Sequence, residues 1–477
     1  MGFDALFTGI SGLNAYQDQI DMISNNIANV GTIGFKGQRM TFADLFYQTQ
    51  GFASGPTQTS GGVNPQEVGL GVKTNTIDTN FAQGGLQTTG INTDMAINGD
   101  GFFILRNTDG SGQPVYTRDG AFSLNSNGVL YDPATGLSVQ GFMANGNGVV
   151  TSSGTPGTIT VPLGLQMQAT ATGGTNAVKL GPQNDQVFDM SLGGSLDQTQ
   201  YSVAVAGGTP VNKVLTTTIY DSLGNAHQAT ITFSPDAGSA LPATVNNASG
   251  TAVKPATRWT YKVTFADGTT ASTSTGEVFF DQNGQFINTS SSATGTPVHS
   301  TGGAPAAGDG NALVVSGWPA GNGSVSPQTI GLDFSNMASL AGTATANVLS
   351  QDGYAAGTLS NITVGQDGTV TGSFTNGQEK TIAQVAVATF QNEDGLHRAG
   401  GNFFEATANS GLAQVGTANS GRYGAIVSGS LEQSNVSLAD EFTKMIVAQR
   451  AFEANTRGIS TADQNMQTVL NIRASAN

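Results

Sequence analysis

Residues able to carry out acid–base, nucleophilic or metal chemistry are few in this chain, and their spacing favours none of these activities. The three histidines, His227, His299 and His397, lie far apart, whereas two zinc ligands on one helix need a spacing of i, i+4. The chain has no cysteine, which excludes disulfides, thiolate metal sites and cysteine nucleophiles. The sequence therefore predicts no catalytic residue, no cofactor site and no metal site.

A search of the sequence for short catalytic motifs also indicates no catalytic site. The chain contains neither the GxxxxGK[ST] phosphate loop nor the GxSxG nucleophile elbow. The run 281–285 (DQNGQ) lacks the spaced carboxylates of a calcium loop and is interpreted as a hairpin turn. Glycoside hydrolysis needs only two carboxylates and no local motif. A secreted β-rich carbohydrate-active protein or adhesin is therefore the alternative from a different functional class.

Composition argues against several partners. The formal net charge is −15, and the 17 Lys and Arg residues are scattered, whereas nucleic acids and anionic membranes require clustered cations. No apolar stretch is long enough to span a membrane, and the first residues lack the basic and apolar regions of a secretory signal peptide. We expect no nucleic-acid partner, no membrane insertion, and any export to occur without a cleaved signal peptide.

The strongest periodic signal lies near the two ends of the chain, where apolar residues recur every seven positions. This spacing places side chains on one stripe of a helix, and such a stripe needs a partner to cover it. We expect the two helices to pair with each other or with other copies of the chain; docking on the β body of a monomer is the alternative. The predicted assembly seam comprises Leu6, Ile10, Leu13, Ile20, Ile27, Leu438, Phe442, Met445, Phe452, Ile459, Met466 and Leu470. Polar residues of the second helix face either a water-filled channel or ordinary solvent: Gln449, Asn455, Gln464, Gln467 and Asn471.

Between the helices the chain is rich in glycine and has the pattern of β structure. Short alternating runs separated by Asn-Gly and Asp-Gly dipeptides occupy 71–142, and a hairpin is predicted around 221–225 (DSLGN). The low-complexity stretch 290–310 predicts a surface loop. The predicted fold class is α+β, mainly β, with nested β domains inserted between N- and C-terminal α-helices that form a coiled-coil-like stem.

This nested order of segments predicts that the chain forms four structural parts. Residues 1–30 and 437–477 form the terminal helical stem, the inner core of a polymer. Residues 31–70 and 426–436 form an extended connector. Residues 71–145 and 350–425 form an inner β domain, and 146–349 form an outer inserted β domain of one or two subdomains.

A motif at the end of the first helix resembles a known family. Residues 24–36 run SNNIANVGTIGFK, which is similar to the N-terminal signature of the bacterial flagellar rod and hook proteins. The stretches 94–103 (DMAINGDGFF) and 116–122 (YTRDGAF) and the tail 428–472 are similar to the same family. The motif residues are Asn26, Ala28, Asn29, Thr32, Gly34, Phe35 and Lys36. We interpret them as shaping the turn that leaves the helix; an export or assembly determinant is the alternative.

Within the family, the long insert and the stretches 220–227 and 351–354 resemble the hook proteins in particular. The resemblance implies a structural subunit of the flagellar hook that self-assembles into a hollow, curved helical tube and transmits torque from rod to filament as a universal joint. It also implies its partners: further copies of itself, a rod protein, a hook-cap protein, a hook–filament junction protein and the flagellar type III export apparatus. The implied location is extracellular, in the hook and basal body. A distal rod or hook–filament junction protein is the alternative within the family.

Overall fold

The computed structural model describes residues 2–56, 58, 61–146, 148–152, 154–162, 164–173, 189–238, 240–247, 251–290, 312–319, 323–325 and 327–475. The predicted loop after Ser290 and the imidazole of His299 lie outside the described residues. So does the side chain of Leu470 in the predicted seam.

Helices lie at both ends of the chain, and strands fill most of the remainder. The helices are α1 Gly2–Ala28, α2 Gln198–Val205 and α3 Leu438–Ser475, with a 3-10 helix, η1, at Glu393–Gly395. The first strands are β1 Gln38–Asp44, β2 Tyr47–Gly51, β3 Gln66–Gly69, β4 Val72–Thr79, β5 Leu86–Thr88, β6 Met95–Asn98, β7 Phe102–Arg106, β8 Val115–Thr117, β9 Ser123–Leu124, β10 Leu130–Tyr131, β11 Ser138–Met143 and β12 Gly157–Thr158. There follow β13 Gln166–Met167, β14 Met190–Asp197, β15 Lys213–Tyr220, β16 Ala226–Pro235, β17 Val245–Asn246, β18 Ala252–Val253, β19 Thr257–Phe265, β20 Thr270–Thr273, β21 Thr275–Phe280, β22 Phe286–Ser290, β23 Ala312–Gly317, β24 Gln328–Leu340 and β25 Asn347–Gln351. The last are β26 Gly357–Val364, β27 Thr369–Phe374, β28 Glu379–Thr389, β29 His397–Gly400, β30 Phe403–Glu405, β31 Gln414–Thr417, β32 Ala425–Ser428 and β33 Ser430–Glu432.

The chain divides into two compact units. The first comprises 1–165, 360–373 and 379–477, and the second comprises 166–359 and 374–378. The insert therefore begins at 166 and ends near 359, whereas the sequence predicted boundaries at 146 and 349. The insert begins later than predicted because β12 pairs with β11 and so belongs to the first unit. It ends later than predicted because Tyr354 pairs with Thr170 within the insert.

The first unit is built on a large sheet with the strand order β26-β27-β28-β11-β7-β8-β30-β29. Its core contains aromatic residues from strands that are distant in sequence, including Phe102 of β7, Tyr116 of β8 and Phe404 of β30. These rings pack edge to face or tilted, with Phe102 and Phe404 centroids 5.7 Å apart. Long-range pairing of this kind joins the two stretches of chain on either side of the insert.

Short antiparallel ladders of the same unit connect its N- and C-terminal segments. Strand β32 pairs with β6, and β33 pairs with β5. Strand β1 pairs with β4, and β2 pairs with β3 to form a separate hairpin. The predicted extended connector therefore contains strands, which pair one edge of their backbone within these ladders.

The second unit contains two five-stranded sheets, β20-β23-β24-β14-β25 and β15-β16-β19-β21-β22. Strands β14 and β24 are parallel neighbours, and the other pairs are antiparallel. A hydrophobic core draws on both sheets, with Leu332 and Phe334 from the first and Phe233, Trp259 and Tyr261 from the second. The hairpin predicted around 221–225 is present between β15 and β16, and the turn predicted at 281–285 connects β21 to β22.

The predicted mainly β class, with helices at both ends flanking β domains, is confirmed. Within the described ranges, no helix combines the length and the apolar content that crossing a membrane would require.

Candidate functional site

The terminal helices α1 and α3 pack against each other in antiparallel orientation. Gly9 of α1 faces Ile459 of α3, and further along Gly12 faces Asn455. A Cβ added to Gly9 would lie 2.7 Å from Ile459 Cγ1, so Ile459 would have to shift to admit a larger residue. Glycine is a weak helix former, but at these two positions it lets the two helices come close.

The buried centre of this pair lies near the end of α1. Met22, Ile23 and Ala448 are buried together with Met40 of β1. Half-buried neighbours surround them: Tyr16, Ile20, Ile27, Phe42 and Met445. Sequence reasoning missed Met22, Ile23 and Ala448, although the i+3 and i+4 spacing of Ile23 from Ile20 and to Ile27 was a signal for it.

The predicted seam residues divide into two groups. Half-buried positions are Leu6, Leu13, Ile20, Ile27, Met445, Phe452, Ile459 and Met466. The exposed positions are Ile10, Leu438 and Phe442. Of the polar residues on α3, Asn455 packs against Gly12, while Gln449, Gln464, Gln467 and Asn471 are exposed.

An apolar stripe on α3 stays uncovered within one chain. Leu438, Phe442 and Ile446 are spaced by four residues and are 42%, 50% and 58% exposed. A spacing of four residues places them on one side of the helix, away from the face that meets α1. On α1, Phe7 and Ile10 are exposed in the same way. We call Leu438, Phe442 and Ile446 the outer stripe.

The motif after α1 begins with Asn26, which is 1% exposed. Its amide nitrogen donates to the Gln38 carbonyl at 2.8 Å and to Glu441 Oε2 at 3.2 Å, and its Oδ1 accepts from the Gln38 N–H at 2.9 Å. Asn26 therefore ties α1 to β1 and to the first turn of α3. Asn29 and Thr32 shape the turn itself, because the Thr32 hydroxyl donates to Asn29 Oδ1 at 3.1 Å. Ala28 is exposed at the end of α1.

Gly34 makes the closest approach between the motif and the β body. Its φ is 68°, a left-handed value that disfavours side chains. A Cβ there would lie 2.7 Å from the Asp119 backbone nitrogen, and the Gly34 N–H donates to the Glu432 carbonyl at 2.8 Å. Both the backbone angle and the space therefore require glycine.

Phe35 is buried beneath the guanidinium of Arg398. The Arg398 Cζ lies 5.1 Å from the Phe35 ring centroid and 5.6 Å from that of Phe404, within cation–π range. Arg398 Nη2 also donates to the Lys36 carbonyl. This contact anchors the motif to strands β29 and β30, and burial lowers the pKa of Arg398.

Lys36, Arg118 and Glu432 form a buried ion cluster. Lys36 Nζ lies 2.7 Å from Glu432 Oε1, and Arg118 Nη1 lies 3.4 Å from Glu432 Oε2. Lys36 also donates to the Ala82 carbonyl at 2.9 Å, and Glu432 accepts from the Gly84 N–H at 2.8 Å. Burial lowers the pKa of Lys36 and of Arg118, and Glu432 opposes this in both cases.

The cluster joins three distant parts of the chain. Lys36 belongs to the motif, Arg118 to the stretch 116–122, and Glu432 to the C-terminal tail. Sequence reasoning missed Glu432 because an isolated acid in a short strand has no local pattern that shows its partner.

Beside Asn26 lies a polar cleft of about 680 Å³. Its charged lining consists of Asp78, Glu393, Asp394, Asp440 and Glu441 with Arg39 and Lys444. Over the part of the chain that the structure describes, no three His, Cys, Asp or Glu side chains are arranged to hold a metal ion. The site as a whole is thus a set of packing surfaces and a buried ionic connection.

Comparison with known proteins gives a consistent assignment along the chain. The family models that match are a flagella basal body rod protein over 6–36, a flagellar hook protein FlgE/F/G D1 domain over 96–176, a flagellar basal body protein FlaE D2 domain over 205–354, and a flagellar basal body rod FlgEFG protein C-terminal segment over 427–472. Paired terminal helices around β domains, together with these matches, define the class of flagellar axial proteins.

Similar proteins resolve the class further. The chain is 36% identical to the flagellar hook protein FlgE of Treponema pallidum, over 98% of this chain and 99% of that one. It is 33% identical to the flagellar hook protein FlgE of Salmonella typhimurium, over 97% and 98%. The crystal structure of Helicobacter pylori FlgE2 is similar with a TM-score of 0.42 and 13% identity, over 71% of this chain and 98% of that one. The chain belongs to the flagellar hook protein (FlgE) family, which confirms the resemblance seen in the sequence.

Proposed function

We propose that this chain is the structural subunit of a bacterial flagellar hook, self-assembling into a hollow, curved helical tube that transmits torque from rod to filament. The observation that carries the proposal is the two-sided character of α3. One face is covered by α1 of the same chain, whereas the outer stripe, with Phe442 50% exposed, is left for other copies.

The seam residues have two roles in this proposal. The half-buried set, such as Phe452 and Ile459, holds the stem of each subunit together. The outer stripe and the exposed Ile10 contact neighbouring stems. Burying exposed apolar side chains stabilises association by about 25 cal/mol per Å², and many copies add this gain along a tube.

The motif residues couple the stem to the β body. Asn26 connects α1 to β1 and α3, and Lys36 connects the motif to Glu432. A rigid connection of this kind transmits a twist applied to the stem into the β domains, as a universal joint requires. We favour this structural role for the motif over an export determinant.

The four predicted layers belong to the same proposal. The stem of 1–30 and 437–477 lines the inside of the tube, the connector and the inner β domain surround it, and the insert lies outermost. The proposed partners are further copies, a rod protein, a hook-cap protein, a hook–filament junction protein and the type III export apparatus. The proposed location is outside the cell, reached without a cleaved signal peptide.

The relatives support a hook protein rather than a distal rod or junction protein. They are named flagellar hook proteins, and this chain matches them over nearly their full length. Because this family consists of structural proteins, the proposal contains no catalytic step. The function of a carbohydrate-active protein or an adhesin requires neither the helix pair nor the outer stripe.

The test is assembly in a bacterium that lacks its own hook protein. Phe442→Asp places a charge on the outer stripe, and we expect no hooks in isolated basal bodies and no motility. Thr443→Asp is the matched control, because this exposed residue lies about 100° further round the helix. Circular dichroism of both purified chains must show equal folding. Normal hooks from Phe442→Asp would contradict the proposed contact.

A further inference from the structure

In the first unit, the hairpin of β2 and β3 exposes its side chains to solvent. We call residues 45–56 and 61–70 the arm. Every described residue from 46 to 69 that carries a side chain is exposed. The exposed fractions of Phe46, Tyr47 and Phe52 are 84%, 55% and 85%. Because a two-stranded hairpin is marginally stable in water on its own, this apolar surface needs a partner to cover it.

The apolar residues of the arm lie on both of its faces. Strand pairing places Gln48 opposite Val68 and Tyr47 opposite Gly69. Because side chains alternate along a strand, Phe46 lies on the same face as Gln48 and Val68. Tyr47 lies on the other face, where a Cβ added to Gly69 would be 3.5 Å from Tyr47 Cε1. A single partner on one face would therefore leave an aromatic ring of the other face in water.

The chemistry of the arm favours a protein partner with little charge. Residues 45–70 contain one charged residue, Glu67, whereas nucleic acids and anionic membranes require clustered cations. In the described part of the chain β2 and β3 form a two-stranded sheet, so each strand has one unpaired backbone edge. Such edges pair with protein backbone and are excluded from lipid. This chain itself has only 10% charged residues, so a second copy of it meets these requirements.

The arm begins beside the exposed surface of α1. Directly after its base, the Val72 N–H donates to Ser11 Oγ of α1 at 3.2 Å. Ser11 adjoins Ile10, which is 45% exposed, and Phe7, about one turn earlier, is 67% exposed. The proposed function assigns the exposed Ile10 to contacts with neighbouring stems. Neighbouring copies are thereby brought alongside the base of the arm.

We propose, on the basis of the proposed function, that the arm inserts between two neighbouring copies of this chain. One copy covers the Phe46 face, which also carries Gln48 and Val68, and the other covers the Tyr47 face, which also carries Thr49. Three copies then meet at every arm. Contacts of this head-to-tail kind can repeat without limit along a tube, and buried aromatic residues dominate the energy of many interfaces.

Cross-linking in assembled hooks tests each face separately, because the chain has no cysteine of its own. Gln48→Cys reports on the Phe46 face and Thr49→Cys on the Tyr47 face. Each variant is produced in small proportion beside the unmodified chain, in a bacterium that lacks its own hook protein. The isolated hooks are treated with a cysteine-reactive photo-cross-linker. We expect dimers of this chain from each single variant and trimers from the double variant. Unassembled monomers of the same variants are the control and are expected to give no product between chains.

The outcomes separate this inference from the proposed function. Dimers from only one of the two sites, or no trimers from the double variant, would overturn the two-sided contact. Cross-links to a different protein, or only within one chain, would overturn the second copy as the partner. Hooks that form without cross-links at these sites would contradict this inference alone. Failure of the unmodified chain to form hooks would contradict the proposed function as well.

Removal of each aromatic ring tests the energetic role of the arm. Phe46→Ser and Tyr47→Ser each remove apolar surface from one face, and Gln50→Ser is the matched control on the same strand, where Gln50 is exposed. The half-life of isolated hooks at elevated temperature is expected to fall by at least about tenfold in both aromatic variants and to stay unchanged in the control. Circular dichroism of the unassembled chains is expected to be equal, because these side chains are exposed within one chain. An unchanged half-life in either aromatic variant would overturn the contact on that face.

Discussion

Lys36 Nζ lies 2.7 Å from Glu432 Oε1, although 396 positions separate the two residues in sequence. Their side chains are 1% and 0% exposed, so the ion pair is formed out of contact with water. Because Glu432 also contacts Arg118, one carboxylate pairs with two cations. The pair therefore connects the segment after α1 to the segment before α3.

Glu432→Ala should strongly destabilise the first unit. The change leaves Lys36 and Arg118 buried without their carboxylate, and removing one partner of a buried pair costs about 3–5 kcal/mol. Urea denaturation of the full chain, followed by circular dichroism, measures the loss. Glu453→Ala is the control, because Glu453 is half exposed in its pair with Arg450 and should cost no more than about 1 kcal/mol. An equal loss of unfolding free energy in both variants would show that the buried cluster contributes no more to stability than an exposed ion pair.

Gly34→Ala should destabilise the chain through both strain and collision. Its φ of 68° alone costs a residue with a side chain about 1 kcal/mol or more, and the new Cβ would meet the Asp119 backbone at 2.7 Å. Gly411→Ala separates these effects, since Gly411 has a φ of 76° but open space around it. We expect the free energy of unfolding to fall by about 1–3 kcal/mol more for Gly34→Ala than for Gly411→Ala. An equal fall would mean that the contact with Asp119 is not tight.

Gly9→Leu should separate the terminal helices. Its side chain would enter the space of Ile459, and such overpacking typically costs about 1–3 kcal/mol. The expected result is a lower helix melting temperature and loss of assembled hooks. Gly458→Ala on α3 is the control, because nothing lies within 4 Å of the added Cβ. Alanine has the higher helix propensity, so this change should stabilise α3 by up to about 1 kcal/mol. A Gly9→Leu chain that melts as the unmodified chain does would argue against close packing of α1 on α3.

Asp189→Asn should stabilise the second unit at pH 8 and not at pH 4. Burial raises the pKa of Asp189 to about 6, against the opposing hydrogen bond from the Gly331 N–H at 2.6 Å. A folded pKa above the unfolded value means that the contribution to stability is fully present below about pH 3.8 and is lost as pH rises through about 6. Asparagine never ionises, so the gain at pH 8 should be about 1–3 kcal/mol. Thermal unfolding at the two pH values measures it, and a gain that does not change with pH would contradict the assignment.

Several features could be predicted from the sequence because their signals are local. The seven-residue recurrence from Leu6 to Ile27 predicts a helix by itself, and the run 221–225 predicts a hairpin turn from its residue types. The motif ending in Lys36 indicated the family, since its residue types sit at fixed spacing. Each of these signals lies within a few turns of chain, where neighbouring residues determine the backbone conformation.

Other features depend on which distant segments meet. The recurrence placed Phe442 and Phe452 in one seam, whereas the structure half-buries Phe452 and leaves Phe442 on the uncovered outer stripe. The motif marked Lys36, but nothing local marked Glu432 as its partner. Nothing local to Gly9 and Gly12 showed that they face Ile459 and Asn455 of α3.

The helices, the turns and the family of this chain are readable in its residue order, because propensity and periodicity act over short stretches. The covered face of α3, the carboxylate that pairs with Lys36 and the start of the insert depend instead on contacts made in the folded chain. Those outcomes arise from long-range packing and from burial of charge, whose energies depend on groups brought together from hundreds of residues apart.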